Sequence, residues 1–435
     1  MKIAFVHQPW NRIVHGEPRG SVPIWTSEVT RRLAPHHDVI VYSRRFEEQP
    51  ATETADGLTY RRVDDPLDPW LVKYVEPLTR LGRRDRSPFS SALFYPQYYR
   101  LAARDMARRG VEIVHVHSFP QAASIIREEH PTAKIVVHLH VEWLNLLPPE
   151  VARRQVRDAD IIVGCSRYLA EQTQRALPEW HSRIKAVFNA VDIEHFVPLQ
   201  TGGDGTGNVV MFVGRISPEK GIHVLLEAFE RVLRTNPDLR LEIVGHDSPV
   251  PLHVFEHLAD ATVVRSLRKY YDRGPWTKLR TLLRSRYPRR LRRLKDTSYG
   301  ATVRAIAAAR LPNHVRFIGF VANHDLPDHY RRAKLVVQPS LTETFGMPLV
   351  EAMACGIPTV ASAAGGIPEI VEPGKTGALV PVFDAPALAD AIRSIMSDTE
   401  GRRRMGEAAR ARAVENFSWE ATVASLVGTY RQALA

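Results

Sequence analysis

The chain has 435 residues, 44% of them hydrophobic, and a formal net charge of +11. That length exceeds one ordinary core and fits two domains of about 200 residues each, while no run reaches the 18 or so uninterrupted apolar residues of a membrane span. MKIAFVHQPW reads as a buried first strand and not as a signal peptide; the two isolated cysteines, Cys165 and Cys355, argue against a disulfide framework or a metal cluster and point to a reducing, cytoplasmic setting.

In chain order, short β-branched runs alternate with helical patterns. Strands are expected at Lys2–His7, Asp38–Ser43, Glu112–His117, Lys134–His140, Asp160–Ser166 and Ile184–Asn189. Most are apolar nearly throughout, as strands covered on both faces must be. The alternation predicts an α/β fold built on a parallel doubly wound sheet, whose ligands bind beyond the carboxyl ends of the strands. Within this half, DPWLVKYVEPL at Asp68–Leu78 and FYPQYY at Phe94–Tyr99 are unusually aromatic. They fit either ordinary core or a ligand groove or lipid contact.

TGGDGTGN at residues 201–208 reads as a flexible linker. The pattern then restarts, with strands expected at Val209–Val213, Leu239–Val244, Val315–Gly319, Leu335–Pro339 and Pro358–Ala361. The expected domains are therefore 1–200, 209–413, and a C-terminal helix over 414–435 that returns to the first domain, with a cleft between two similar halves. Residues 249–300 interrupt the second half. From Val250 to Gly300 there are 13 Lys and Arg against four Asp and Glu, a net of +9, together with Tyr270, Tyr271, Trp276 and Tyr287. This segment reads as a solvated helical insertion or as a site for a membrane surface or acidic partner. Nucleic acid is not expected, because nothing else in the chain looks like a recognition module.

Two segments point to chemistry. GRISPEKG at Gly214–Gly221 follows a strand directly, so Arg215 and Lys220 project from the carboxyl edge, close to the amide end of the next helix. An Arg fork and a Lys point charge so placed suit a diphosphate held without a metal; a solvated surface turn is the plainer alternative. LTETFGMPLVEAMACGIP at Leu341–Pro358 carries Glu343 on a loop and Glu351 one turn into a helix that Pro348 opens and Gly356 closes. Such carboxylates can accept hydrogen bonds from vicinal hydroxyls of a sugar or ribose, or serve only as caps and surface groups.

GRISPEKG followed by ETFGMPLVE resembles glycosyltransferase family 4, whose members adopt the GT-B fold and retain anomeric configuration. VFNAVDIEHF, VRFIGFV, ASAAGGIPEIV and ENFSWE are similar to further family segments in the same order. The resemblance implies two Rossmann-like domains, a nucleotide-diphosphate sugar as donor, and acceptor recognition in the first domain, between Gly16 and Tyr99, where the two aromatic stretches would line an acceptor groove. It implies that Arg215 and Lys220 hold the diphosphate, that Glu343 holds the transferred sugar, and that Glu351 holds the ribose. His140, ending KIVVHLH, corresponds to a His near the donor sugar and phosphate, with His117 and His138 nearby and His138 read as core. Gly20, Gly214, Val321, Thr344, Phe345, Gly346, Met347 and Leu349 fall where the family lines its donor site, Val321 beside the base. Arg19-Gly20-Ser21 replaces the family's usual Gly-Gly pair, and Gly245 is followed by His246-Asp247 where a second Gly is usual.

No Asp-x-Asp or His cluster of ligand spacing stands near these motifs, so neither a metal nor another cofactor is expected. The reaction expected is transfer of a sugar to a hydroxyl acceptor, lipid-linked or membrane-proximal, in a cytoplasmic protein with peripheral membrane contact. The alternatives are a sugar-nucleotide epimerase of the same architecture and a transferase acting on a soluble acceptor.

Overall fold

The computed structural model describes residues 1–16, 20–46, 48–75, 91, 93–199, 207–248, 265 and 299–435. The linker expected at 201–208 and the basic segment expected at 249–300 fall almost wholly outside the described residues, as do Arg19 and the end of the Asp68–Leu78 stretch. The chain forms two compact units. One comprises Met1–Ala190 and Ser418–Ala435, and the other Val191–Phe417.

The first unit holds eight strands, β1 (Lys2–Val6), β2 (Asp38–Arg44), β3 (Thr52–Ala55), β4 (Leu58–Val63), β5 (Ile113–His117), β6 (Lys134–Leu139), β7 (Ile161–Gly164) and β8 (Ile184–Ala186). They lie in the order β3-β4-β2-β1-β5-β6-β7-β8. All pairings are parallel except β3 with β4. β5 is buried at every position, which is what helices on both faces demand. Six strands were expected here; the two added ones form an edge hairpin whose turn, Asp56-Gly57, takes positive φ at both residues. That is the turn a two-residue hairpin needs, and Asp-Gly is its ordinary sequence.

Among the described residues, the second aromatic stretch resolves mainly as core and the first does not. Phe94, Tyr98 and Tyr99 are buried, whereas Trp70 and Tyr74 lie more than half exposed. Asp68, wholly buried, accepts hydrogen bonds from the backbone N–H of Gln97 and Tyr98 at 3.0 and 2.7 Å and so caps the helix Pro96–Arg108 from the short helix Asp68–Trp70. The C-terminal helix expected over 414–435 runs from Trp419 to Leu434, capped by Ser418, and packs Trp419, Leu426 and Tyr430 into the core of the first unit; residues 414–417 instead end the preceding helix, Thr399–Phe417, in the second.

The second unit contains β9 (Val209–Val213), β10 (Arg240–Val244), β11 (Val315–Gly319), β12 (Ala333–Gln338), β13 (Thr359–Ser362) and β14 (Gly377–Val380). The order is β11-β10-β9-β12-β13-β14, all parallel. The chain thus builds outward from β9 in one direction, returns, and builds outward from β12 in the other. The crevice beyond the carboxyl ends of β9 and β12 is the topological switch point, where sheets of this kind take their ligands. The helix Ile222–Leu233 buries an apolar stripe of Leu225, Leu226, Phe229 and Val232 against β9 and β10, which fixes the segment between β9 and that helix.

Candidate functional site

Both sequence motifs arrive at that switch point. The loop after β9 carries Arg215 and Lys220, and the loop after β12 carries Glu343. Lys220 Nζ donates to Glu343 Oε2 at 2.6 Å, and Ser340 Oγ approaches the same oxygen at 3.5 Å. Both side chains of the pair are about seven-eighths buried, so their attraction is screened far less than at a surface. Every hydrogen bond of Glu343's side chain goes to Oε2. Arg215 lies 3.3 Å from Glu219 and keeps 45% of its side chain exposed. Glu219 is itself buried, accepts from Ser217 Oγ, and leaves Oε2 without a hydrogen-bond partner.

The loops are locked together by backbone. Leu341 N–H donates to the Glu219 carbonyl at 2.8 Å, and Gly366 N–H to the Glu343 carbonyl at 2.9 Å. Gly221, at φ +69°, lies so near Pro339 that a Cβ would stand 2.0 Å from its carbonyl oxygen; at Gly365, φ +54°, a Cβ would meet the Glu343 oxygen at 1.8 Å. Only glycine permits both the conformation and the approach. The Glu343 loop is therefore held between the ends of β9 and β13, and its position is set by the fold.

Glu351 lies on the helix Met347–Ala354 that follows this loop, 7% exposed. It does not join the Lys220–Glu343 pair: its hydrogen bond is with the Tyr330 hydroxyl, 2.7 Å from Oε2. Burial pushes its carboxyl up to about 7, against the lowering effect of that bond. Phe345 and Leu349 have buried side chains, Phe345 packing 5.8 Å from the Phe417 ring, so what they offer a ligand is backbone. Gly346, at φ +121°, precedes the first turn of the helix, and Thr344 and Met347 are partly exposed beside it. Gly214 closes β9, its N–H bound to the Val244 carbonyl, and Val321 stands two residues beyond β11, partly exposed. Asp247, where the family's second glycine is missing, is held by Arg304 through two bonds of 2.9 and 3.0 Å.

In the first unit, Gly20 precedes the helix Ser21–Leu33 at φ +98°. His140 follows β6. Its Nε2 lies 3.0 Å from His117 Nδ1, and His117 Nε2 lies 3.0 Å from Thr26 Oγ1, which donates to the Val22 carbonyl. A hydroxyl has one proton, so His117 must donate from Nε2 and accept at Nδ1, and His140 must donate from Nε2. His138 is core, as expected, 3.3 Å from His115 Nε2, with the Tyr430 hydroxyl on His115 Nδ1 at 2.8 Å. Burial lowers all of these rings, His140 to about 4 and His7 to about 3. His115, His117 and His138 bring one nitrogen each within 4.8 Å, a grouping the linear motifs did not flag. Both ring nitrogens of His115 and His117 already have hydrogen-bond partners, which marks the cluster as a packed polar core. Its signal was the alternation His115-x-His117 and His138-x-His140 on neighbouring strands.

Counted from β9, the strand order of the second unit is that of the doubly wound nucleotide-binding sheet. Its switch point presents one exposed guanidinium and one ammonium–carboxylate pair, the equipment of an enzyme that handles a phosphorylated sugar. Residues 198–286 and 301–412 match the family described as glycosyl transferases group 1, and residues 22–195 match Glycosyltransferase Family 4. The chain belongs to glycosyltransferase family 4, is an enzyme of that type, and has the GT-B fold. It is 27% identical over 444 residues to D-inositol 3-phosphate glycosyltransferase of Thermobifida fusca (strain YX), covering 95% of this chain and 89% of that one. It is 24% identical over 430 residues to spore coat protein SA of Bacillus subtilis (strain 168), covering 95% of each. Among solved structures, sucrose-phosphate synthase from Thermosynechococcus elongatus superposes with a TM-score of 0.65 at 20% identity, over 99% of this chain and 98% of that one. HepE of Anabaena, in complex with UDP and glucose, does so with a TM-score of 0.65 at 19% identity, over 99% of each. No helix among the described residues is long and apolar enough to cross a membrane.

Proposed function

We propose that the enzyme transfers a sugar from a nucleotide-diphosphate sugar to a hydroxyl acceptor with retention and without a metal ion. The observation that carries this reading is the Lys220–Glu343 pair at the switch point, with Arg215 on the same loop. The C1–O bond to the β-phosphate breaks, and charge grows on that phosphate. Arg215 and the two N–H groups of Lys220 not given to Glu343 stabilise it, as a metal ion does elsewhere. Glu343 Oε1 accepts from hydroxyls of the sugar, Glu351 from the ribose, and the backbone from Thr344 to Met347 lies against the donor. The acceptor hydroxyl attacks on the face the leaving group departs from, and its proton passes to a phosphate oxygen. Retention is supported by membership of the family.

For the donor, the HepE complex with UDP favours a uridine nucleotide. For the acceptor, exposed Trp70 and Tyr74 on the first unit support a lipid-linked or membrane-proximal glycan. The relatives named for D-inositol 3-phosphate favour a second reading, a small soluble phosphorylated acceptor. A thermal-shift screen with UDP, GDP and their sugars tests the donor assignment. A ligand at 100 times its dissociation constant adds about 2.7 kcal/mol of stability, so one nucleotide raises the melting temperature by several degrees with EDTA present. A flat response to all of them contradicts the reading.

A further inference from the structure

Tyr330 lies outside every sequence motif and outside the residues assigned above to the donor. It ends the short helix Leu326–Tyr330, is wholly buried, packs 6.0 Å from the Phe196 ring, and points its hydroxyl at Glu351. A buried tyrosine needs a hydrogen-bond partner, but a backbone carbonyl would serve as well. Here the partner is a carboxylate in a site where a carboxylate is otherwise costly to keep. We propose that Tyr330 is a positioning residue for donor binding: its hydroxyl fixes the Glu351 rotamer and keeps that carboxylate ionised, so that Oε1 can accept from the ribose.

This rests on the assignment of Glu351 to the ribose. The bond, at 2.7 Å, is well formed. It takes one oxygen and leaves the other. Among the described residues, no cation is bonded to the Glu351 carboxylate. Helix 347–354 packs on the helices Leu326–Tyr330 and Thr399–Phe417 and on β12 and β13. From these, Arg331 and Arg410 act on the buried Cys355 one turn further along, and burial with the Glu351 charge pushes that thiol up to about 12. Arg410 is engaged by the Ala354, Phe196 and Ile193 carbonyls. Lys334 of β12 donates to Asn208, and β13 carries no ionisable group. With burial pushing Glu351 up to about 7, the Tyr330 hydroxyl is the group that opposes protonation. The sign follows: donor affinity is full above that value and falls as pH drops through it.

The test is the dissociation constant of UDP, with GDP in parallel, from pH 5.5 to 8.5 for wild type, Glu351→Gln, Tyr330→Phe and the double variant. Dividing by Glu351→Gln at each pH removes the titration of the nucleotide's own phosphate. The advantage of wild type over Glu351→Gln should shrink by about 30-fold from the top of the range to the bottom, one decade per pH unit below the midpoint. Tyr330→Phe should move that midpoint upward by about one pH unit, and should change nothing when Glu351 is already Gln. A merely structural role would weaken UDP equally in both backgrounds, which overturns the proposal. A wild-type advantage that does not vary with pH also overturns it, whatever the stability of Tyr330→Phe. If neither nucleotide binds, or Glu351→Gln binds as wild type does, the donor assignment fails first and takes this inference with it.

Discussion

Lys220→Met lowers turnover by about 10²–10³-fold while the protein remains folded, as expected for loss of one preorganised contact to charge developing in the transition state. The substitution keeps much of the side chain's length and apolar stem and removes only the charge. In the resting enzyme that charge neutralises Glu343, and both groups are largely buried. Removing one partner of such a pair leaves the other unpaired, which commonly costs 3–5 kcal/mol for a fully buried pair and less at this degree of exposure. Melting temperature therefore falls by several degrees, and Lys220→Met/Glu343→Gln recovers part of the stability but none of the turnover. Steady-state rates and melting curves on the three proteins check both halves. Wild-type turnover in folded Lys220→Met removes Lys220 from the chemistry.

The second large effect concerns acid. His7, His115, His117 and His138 are at most 1% exposed, and burial holds each below its ordinary value of 6.5. The unfolded chain takes up protons at these positions as pH falls below about 6.5, and the folded protein does not. The stability they contribute is therefore complete above that pH and is lost below it. Each ring contributes a slope approaching 1.4 kcal/mol per pH unit, so four give on the order of 5 kcal/mol per unit. Since typical domains hold only about 5–15 kcal/mol in all, the first unit should unfold near pH 5. Urea melts from pH 7.5 to 5 measure the slope; one that stays near zero contradicts neutral rings in the folded state.

The architecture was legible where pattern and burial agree. Val209–Val213 is a strand over the expected residues, a short apolar run nearly buried throughout, and Val315–Gly319 is one too, although as an edge strand it leaves Arg316 exposed. The edge strands β3 and β14 escaped, since TETA and GALV are too short to show a period; β4, which alternates buried and part-buried residues, and the Asp56-Gly57 turn before it were not picked out. The expected C-terminal helix starts a few residues late, at Trp419. Ser418 is a cap that ends one helix and starts the next.

Within the site, Arg215, Lys220 and Glu343 were legible because each stands next to a strand end. No spacing in the sequence, however, could show that Lys220 grips Glu343, which lies 123 residues away. Glu351's partner was invisible for a related reason. Tyr330 sits in LPDHYRRA, which has the look of any short helix, and only the packing of that helix brings its hydroxyl to the carboxylate. Phe345 and Leu349 were expected among the donor-lining residues, Phe345 through backbone amides, and the side chains of both are buried in the core.

The most direct measurement is a crystal structure of the enzyme with UDP bound. The expectation is a diphosphate within hydrogen-bond distance of Arg215 and Lys220, and a ribose hydroxyl on Glu351 Oε1, with Tyr330 still on Oε2. UDP seated away from the carboxyl ends of β9 and β12, with the Lys220–Glu343 pair untouched and the phosphates in solvent, would contradict it.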